Sequence, residues 1–359
     1  MTVAELPFGL GLIEGFYGRP WGAADREAML GFLGSIGYEY YVYAPKADAT
    51  LRRGWSERWD PEGERCLQSL ARRCRGAGLA WGVGLSPLGL VETLSAPNRQ
   101  RLREKIRYID QFSPEILCIL FDDMPRAIER LAAAQLAVVE DVLATTRARH
   151  VVVCPSYYTS DPVLERLFGS MPPGYWSELG EGLPMEVGIF WTGERVCSAS
   201  YDCVALARIG EVFGRAPVLW DNYPVNDGAR MSKFLHLDSF RGRPPELAQL
   251  TRAHFVNPMN QCWLSRIPLA TLTALYREGR EYEPRVALER SLRDACGEDL
   301  ANMLLADLAR FQTRGLDGIS EAEKNALCER YRGVDSPFAR EIADWLDGGY
   351  AFDPACLTD

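Results

Sequence analysis

The 359-residue chain has little histidine and no closely paired cysteines. It contains three His and ten Cys, and no two cysteines have the spacing Cys-x-x-Cys. Structural zinc sites are usually built from such pairs, often with histidine, so a zinc site is not expected. The cysteines are scattered through stretches typical of strands and helices, and we expect mostly buried, reduced thiols.

The chain also lacks an excess of basic residues. Lys and Arg together number 40 against 49 Asp and Glu, which gives a net charge of -9. Proteins that bind nucleic acid or anionic membranes through charge carry a basic surface, so neither partner is expected. The charge balance is compatible with a neutral, sugar-like substrate.

Long apolar runs are missing as well. No stretch approaches the roughly 20 apolar residues that a membrane helix needs. The first ten residues have neither a basic start nor a long apolar run, so a secretory signal is not predicted and a cytoplasmic location is expected. The composition, 47% hydrophobic and 25% charged, is that of a globular protein with a large core.

What the chain does contain is an apolar run that ends in two adjacent acids. Residues 116–121 are apolar without a polar gap, which indicates a strand buried on both faces. Asp122, Asp123 and Pro125 follow directly. One interpretation is acid/base chemistry at the end of the strand, and the other is that an acid merely caps the next helix. The two carboxyls can share a cavity only if the chain turns there, because side chains alternate along a continuing strand.

Seven more stretches of strand-like sequence alternate with helical spacing over about 275 residues, a rhythm typical of a (β/α)8 TIM barrel. The predicted strands are 8–16, 38–44, 79–85, 116–121, 150–154, 185–191, 217–220 and 254–256. A doubly wound open sheet is the competing architecture. The barrel is preferred because polar or aromatic residues follow nearly every strand. We predict a catalytic barrel over residues 1–278 and a C-terminal helical region over residues 279–359, with helices at 284–296, 298–313, 321–331 and 339–345.

Hydrogen-bonding and stacking residues follow the predicted strands. They are Lys46, Tyr158, Trp220, Asn222 and Asn257, a set suited to a neutral polyol with an aromatic platform. Each has a simpler interpretation: a solvated cation for the lysine, core packing for the aromatic residues and turns for the asparagines. Asp227, within Asn226-Asp227-Gly228, is also compatible with a type I′ turn.

Eight motifs in order resemble the O-GlcNAcase family, glycoside hydrolase family 84. They are Gly15-Phe16-Tyr17-Gly18-Arg19-Pro20-Trp21, Tyr43-Ala44-Pro45-Lys46, Phe121-Asp122-Asp123, Cys154-Pro155-Ser156-Tyr157-Tyr158, Trp191-Thr192-Gly193, Leu219-Trp220-Asp221-Asn222, Asn226-Asp227 and Val256-Asn257-Pro258. The resemblance covers nearly the whole predicted barrel.

The resemblance implies a retaining exo-β-N-acetylglucosaminidase that works by substrate-assisted catalysis without a metal or other cofactor. The substrate's own 2-acetamido oxygen would attack C1 and form an oxazoline, a departure from the usual scheme with two carboxylates. Asp122 matches the acid that orients and polarises the acetamido N–H. Asp123 matches the acid that protonates the leaving oxygen and then deprotonates water.

Further site residues are implied by the same resemblance. Tyr158 would bond the acetamido group, Trp220 would wall its pocket, and Asn222 would support the first acid and the substrate. The Gly15 carbonyl, with Lys46 nearby, and the pair Asp227 and Asn257 would hold the sugar hydroxyls. The implied partner is a GlcNAc-containing glycoside or glycoprotein; a homodimer is left open.

Two other functions stay open from the residues alone. One is a non-catalytic barrel that binds GlcNAc-bearing glycans, and the other is metal-dependent hydrolysis through the acid pair. The sequence lacks the long helical stalk of many family members, so the aglycone is not determined: it could be a protein, a peptidoglycan fragment or a small glycoside.

Overall fold

The computed structural model of the protein describes residues 3–124, 128 and 130–358. Eight parallel strands follow one another around a closed barrel, and the last pairs with the first. The strands are β1 Leu10–Ile13, β2 Tyr40–Tyr43, β3 Ala80–Leu85, β4 Ile116–Leu120, β5 His150–Cys154, β6 Gly188–Trp191, β7 Val218–Asp221 and β8 Ala253–Val256. The predicted (β/α)8 barrel is confirmed, and the open sheet is wrong.

Helices surround the barrel and continue beyond it. In the part of the chain that the structure describes they are α1 Ala23–Ile36, α2 Pro61–Gly76, α3 Ala96–Ile109, α4 Leu131–Leu143, α5 Val163–Phe168, α6 Tyr175–Gly182, α7 Cys203–Phe213, α8 Leu247–Leu250, α9 Cys262–Glu278, α10 Pro284–Ala309, α11 Glu321–Arg332 and α12 Pro337–Leu346. None of these described helices is long and apolar enough to cross a membrane.

Burial explains why the apolar run in the sequence predicts the position of strand β4. All five of its residues are fully buried, between the barrel interior and the surrounding helices. It pairs in parallel with β3 and β5, where Cys118 lies opposite Gly84 and Val152. Burial on both faces requires apolar side chains at every position, and this is the pattern that the sequence carries.

Some element boundaries differ from the prediction. The helix predicted over 125–149 is shorter and ends at Leu143, and Pro125, placed in its first turn, lies outside the described residues. The strand predicted from residue 185 begins at Gly188, and Met185 is 54% exposed. The predicted strand therefore began three residues too early, because the hydrophobic Met185 was counted as part of it.

The C-terminal helices pack on the barrel and form a second hydrophobic core. This core joins Ile267 of α9 to Leu288, Leu304 and Trp345 of the later helices. The helix α10 contains a break at Gly297, whose φ of 77° is left-handed, and the predicted helices 284–296 and 298–313 meet there. The boundary between the two predicted domains stays a prediction.

The cysteines carry no disulfide bond. Five of the ten are buried and Cys66 is exposed. Cys118 and Cys154 belong to strands β4 and β5. Burial raises the pKa of both thiols, which therefore stay protonated.

Candidate active site

The two adjacent acids reach the same cavity because the chain turns between β4 and the following segment. Asp123 has a φ of 52°, in the left-handed region that aspartate tolerates better than most residues. Asp122 and Asp123 both line a cavity at the carboxyl ends of the strands. Of the two geometries compatible with the sequence, the structure has the turn, and the carboxyls do not point to opposite faces.

All nine predicted site residues line this cavity. They are Gly15, Lys46, Asp122, Asp123, Tyr158, Trp220, Asn222, Asp227 and Asn257. They come from the ends of six strands of the barrel, β1, β2, β4, β5, β7 and β8, or from the loops that follow. The described residues contain no group of three or more His, Cys, Asp or Glu side chains that could hold a metal ion.

Asp122 is held as a carboxylate by two cations. The Lys46 ammonium donates a hydrogen bond to Oδ2 of Asp122. Burial raises the pKa of Asp122, but the charges of Lys46 and Arg52 outweigh burial and hold this pKa below its usual value. Lys46 is only 9% exposed, so the interpretation of a solvated cation is wrong.

The other oxygen of Asp122 has no partner. Its Oδ1 atom is buried, and no hydrogen-bond donor reaches it among the residues that the structure describes. A buried acceptor without a donor is costly, and nearly all buried polar groups in proteins are satisfied. The Oδ1 atom is therefore available to accept a hydrogen bond from a ligand in the cavity.

Asp123 is surrounded differently. Its carboxylate oxygens accept hydrogen bonds from the hydroxyls of Tyr17, at 2.9 Å, and Tyr158, at 3.0 Å. Arg52 Nη2 donates to its backbone carbonyl at 3.1 Å. Burial and the negative charge of Asp122 raise the pKa of Asp123. The pKa values of the two neighbours are thus displaced in opposite directions, which is the arrangement that one ionised and one protonated acid require.

Trp220 forms one wall of the cavity against the backbone of Gly15. A Cβ atom on Gly15 would lie 2.3 Å from Cζ2 of Trp220, closer than atoms can approach. The indole Nε1 donates to Oδ1 of Asn222 at 2.9 Å, and the ring packs edge-on against Phe190. Trp220 is therefore part of the cavity wall, although it is only 5% exposed.

Two asparagines connect the ends of β7, β8 and β1. Asn257 accepts the N–H of Gly15 at 3.1 Å and donates to Oδ1 of Asn222 at 3.0 Å. Asn222 in turn donates to the carbonyl of Val196 at 2.9 Å. The bond from Asn222 to Asp122 that the family resemblance implies is not among these contacts, because the amide donor Nδ2 of Asn222 points to the carbonyl of Val196 instead.

Asp227 lines the cavity. Its Oδ2 accepts the backbone N–H of Tyr17 at 2.7 Å, and burial raises the pKa of Asp227 to about 6. Asn226, Asp227 and Gly228 all lie in the described part of the chain, and none of them has a positive φ. A type I′ turn needs positive φ at both central residues, so that interpretation is wrong.

A buried charge network lies behind the cavity wall. Both oxygens of Asp221, the last residue of β7, accept hydrogen bonds from Arg243, at 2.7 and 2.9 Å, and His254 Nε2 lies 3.1 Å from Oδ2. Burial opposes ionisation of Asp221, but Arg243 and His254 outweigh it and lower its pKa to about 2. This ion pair fixes the strand end that carries Trp220.

The sequence analysis did not assign several residues that surround the acids. Tyr17 lies inside the glycine-rich motif of residues 15–21, so this motif could have marked it as a site residue. Arg52 follows a short 3-10 turn after β2, where no pattern marks a site residue. Cys356 and Thr358 also line the cavity, and nothing in the sequence connects them with the residues at the strand ends.

Comparison with known proteins agrees with this geometry. A family model described as beta-N-acetylglucosaminidase matches residues 10–309. The chain is 28% identical over 277 residues to the Protein O-GlcNAcase of Mus musculus, and the protein of Rattus norvegicus gives the same identity. The match covers 74% of this chain, but only 30% of either relative.

A solved structure is also similar over nearly the whole chain. It is a point variant of the O-GlcNAc hydrolase of Thermobaculum terrenum, with a TM-score of 0.79 and 28% sequence identity. The similarity covers 96% of this chain and 82% of that chain. Because the family model matches most of the sequence, including every strand of the barrel, this protein belongs to the β-N-acetylglucosaminidase family.

Proposed function

We propose that this protein is a retaining exo-β-N-acetylglucosaminidase that hydrolyses terminal β-linked GlcNAc by substrate-assisted catalysis. The observation that carries the proposal is the buried Oδ1 of Asp122, which accepts no hydrogen bond from any residue that the structure describes, beside an Oδ2 that is already held by Lys46. The acetamido N–H of a bound GlcNAc supplies the donor that this oxygen lacks. An ionised carboxylate at that position makes the acetamido oxygen more nucleophilic.

In the first step the acetamido oxygen forms a bond to C1 while the bond from C1 to the aglycone oxygen breaks. The aglycone oxygen takes the proton of Asp123, whose pKa is raised by burial and by the charge of Asp122, which favours the protonated form of this acid. Asp122 stabilises the positive charge that develops on the oxazoline ring. The ring excludes water from one face of C1, so the second attack comes from the face that the aglycone left.

In the second step Asp123, now ionised, removes a proton from water. The water oxygen forms a bond to C1, the bond from C1 to the acetamido oxygen breaks, and the β configuration is restored. Tyr17 and Tyr158 donate hydrogen bonds to Asp123 and so stabilise its ionised form between the two steps.

Specificity for a terminal sugar follows from the polar groups at the far edge of the cavity. Asp227 and Asn257 are largely buried there, and both are already fixed by backbone N–H donors from Tyr17 and Gly15. Buried polar groups that expect a sugar hydroxyl reject a substrate that lacks it. We assign them to the O4 and O6 edge, where a further sugar would have no room.

The experiment that tests this function measures turnover of aryl β-N-acetylglucosaminides with an acetyl, fluoroacetyl or difluoroacetyl group on the nitrogen. Fluorine withdraws electrons from the acetamido oxygen, so kcat should fall steeply with each fluorine if that oxygen is the nucleophile. A rate that is independent of fluorination contradicts substrate assistance. Absence of turnover with all three substrates would support instead the glycan-binding barrel, and activity that disappears with a chelator would support the metal-dependent route.

A further inference from the structure

The C-terminal segment 350–358 returns to the mouth of the barrel after α12. The Arg19 guanidinium lies 4.9 Å from the ring centre of Tyr350 and 3.6 Å from the carboxylate of Asp344. A Cβ on Gly18 would lie 3.7 Å from the carbonyl oxygen of Ala351. The start of the segment is therefore in contact with the loop after β1, which carries part of the site.

Two side chains of this segment enter the cavity. The Sγ atom of Cys356 lies 3.9 Å from Oδ1 of Asp227. Thr358 lines the cavity beside Tyr158 and is only 9% exposed. Between them Leu357 is 54% exposed, so the segment alternates between cavity and solvent in the way an extended chain does.

The segment also has internal hydrogen bonds that hold its shape. The Asp353 carboxylate accepts the N–H of Ala355 at 2.9 Å, and the Asp353 carbonyl accepts the N–H of Cys356, also at 2.9 Å. Such a turn directs Cys356 and the residues after it towards the cavity without the support of a helix or strand.

We propose that residues 350–358 form an intramolecular plug that competes with the glycoside for the cavity. The inference rests on the proposed function, because it concerns the same site. Cys356 contacts Asp227, which we assign to the O4 and O6 edge, and Thr358 lies beside Tyr158, which bonds the acid Asp123. A GlcNAc residue that extends from Asp227 to the acid pair cannot bind while the segment is in place.

Competition of this kind has a definite kinetic signature. The apparent dissociation constant of any ligand equals its intrinsic value divided by the fraction of molecules with the plug released. Weakening the plug therefore lowers KM and the inhibition constant of a thiazoline analogue of the oxazoline by the same factor, and it leaves kcat unchanged.

The test compares the full-length protein with its Thr358→Ala variant, and Leu357→Ala serves as the control from the adjacent, exposed position. Loss of the buried Thr358 side chain from the cavity removes about 1 kcal/mol of contact free energy, so KM and the thiazoline inhibition constant should fall about three- to tenfold in Thr358→Ala. Both constants should stay at the wild-type value in Leu357→Ala. Equal constants in all three proteins overturn the plug.

Hydrogen exchange of the full-length wild-type protein gives an independent readout. Saturation with the thiazoline should speed exchange of the backbone amides of residues 353–358, because the segment must leave the cavity. Unchanged or slower exchange in that segment, with the inhibitor bound, overturns the plug while the proposed function stands. Failure of the proposed function looks different: no variant would turn over the aryl glycoside or bind the thiazoline, and the plug would fall with it.

Discussion

Lys46 forms a buried ion pair with Asp122. The next residue, Asp123, instead accepts hydrogen bonds from two tyrosine hydroxyls. The two acids are adjacent in sequence, yet the cation contacts only the first through a hydrogen bond. The pair therefore does not titrate as two equivalent groups. The ion pair lowers the pKa of Asp122, and the resulting negative charge helps to raise the pKa of Asp123.

The first prediction concerns the pH profile of the Lys46→Met variant. On the acid limb of the profile, activity rises with pH as Asp122 loses its proton. On the basic limb, activity falls as Asp123 loses the proton that it must donate. The charge of Lys46 lowers the pKa of both acids, so its removal should move both limbs of the kcat/KM profile to higher pH. The profile is measured with an aryl N-acetylglucosaminide from about pH 2.5 to about pH 9, because the acid limb of the wild type lies below the usual aspartate pKa of about 3.9.

Lys233→Met is the matched control for that experiment, because Lys233 pairs with Asp317 on the surface, far from the acids. Its profile should coincide with that of the wild type. Limbs that stay in place in Lys46→Met, or move to lower pH, would show that Lys46 does not set the ionisation of the acid pair.

A second prediction concerns the wall of the cavity. Gly15→Ala would place a methyl group 2.3 Å from Cζ2 of Trp220, so the indole must move. Because a displacement of about 1 Å in a catalytic site can cost about 100-fold in rate, kcat/KM should fall by about that factor. Steady-state kinetics and a thermal melt check both activity and folding.

Gly31→Ala in α1 is the control for added methyl groups, since nothing lies within 4 Å of a Cβ at that position. It should keep wild-type kinetics and gain up to about 1 kcal/mol of stability from helix propensity. Wild-type kinetics in Gly15→Ala would show that the position of Trp220 is not critical for the reaction.

A third prediction concerns stability rather than chemistry. Asp221→Asn leaves the buried Arg243 without its counter-ion, and the free energy of unfolding should fall by about 3 to 5 kcal/mol. Asp317→Asn breaks the exposed pair with Lys233 and should cost no more than about 1 kcal/mol. Urea titration at neutral pH measures both values, and equal losses would contradict the structural role of the buried pair.

The same pair predicts a pH dependence. The pKa of Asp221 is lowered from 3.8 to about 2, so its contribution to stability is present above pH 3.8 and disappears as the pH falls towards 2. The difference in unfolding free energy between wild type and Asp221→Asn should therefore shrink across that interval. A difference that grows with acid would contradict the lowered pKa.

A fourth prediction separates the two acids. Asp122→Asn removes the charge that stabilises the developing oxazoline, which is needed whatever the aglycone. We expect kcat to fall about 100- to 1000-fold on activated and on poor leaving groups alike. A loss confined to poor leaving groups would mean that Asp122 is the proton donor.

Much of the fold could be predicted from the sequence, because burial strongly restricts which residue types occur in a strand or helix. The gap-free apolar run of β4 predicts its position since all five residues are fully buried. Gly297 marks the break in α10 for a similar reason, because its left-handed φ suits glycine. The site residues at the strand ends were also predictable, since the carboxyl ends of all eight strands meet at one face of a barrel.

Other features depend on contacts that no local pattern encodes. The side on which Asp123 points is set by a single left-handed residue, and the sequence permitted both alternatives. Arg52 reaches the acid pair from a short turn, and Thr358 reaches the cavity from the segment after the last helix. Such long-range placements depend on the packing of the loops.

The most direct test of the central claim is the dependence of kcat/KM on the leaving-group pKa in Asp123→Asn. The measurement uses a series of aryl β-N-acetylglucosaminides, from activated nitrophenols to unactivated phenols, with wild-type protein as the reference. Because an activated phenolate needs no proton, the variant should approach wild-type rates on the best leaving groups and lose progressively more as the leaving-group pKa rises. An equal loss across the whole series would contradict the assignment of Asp123 as the acid.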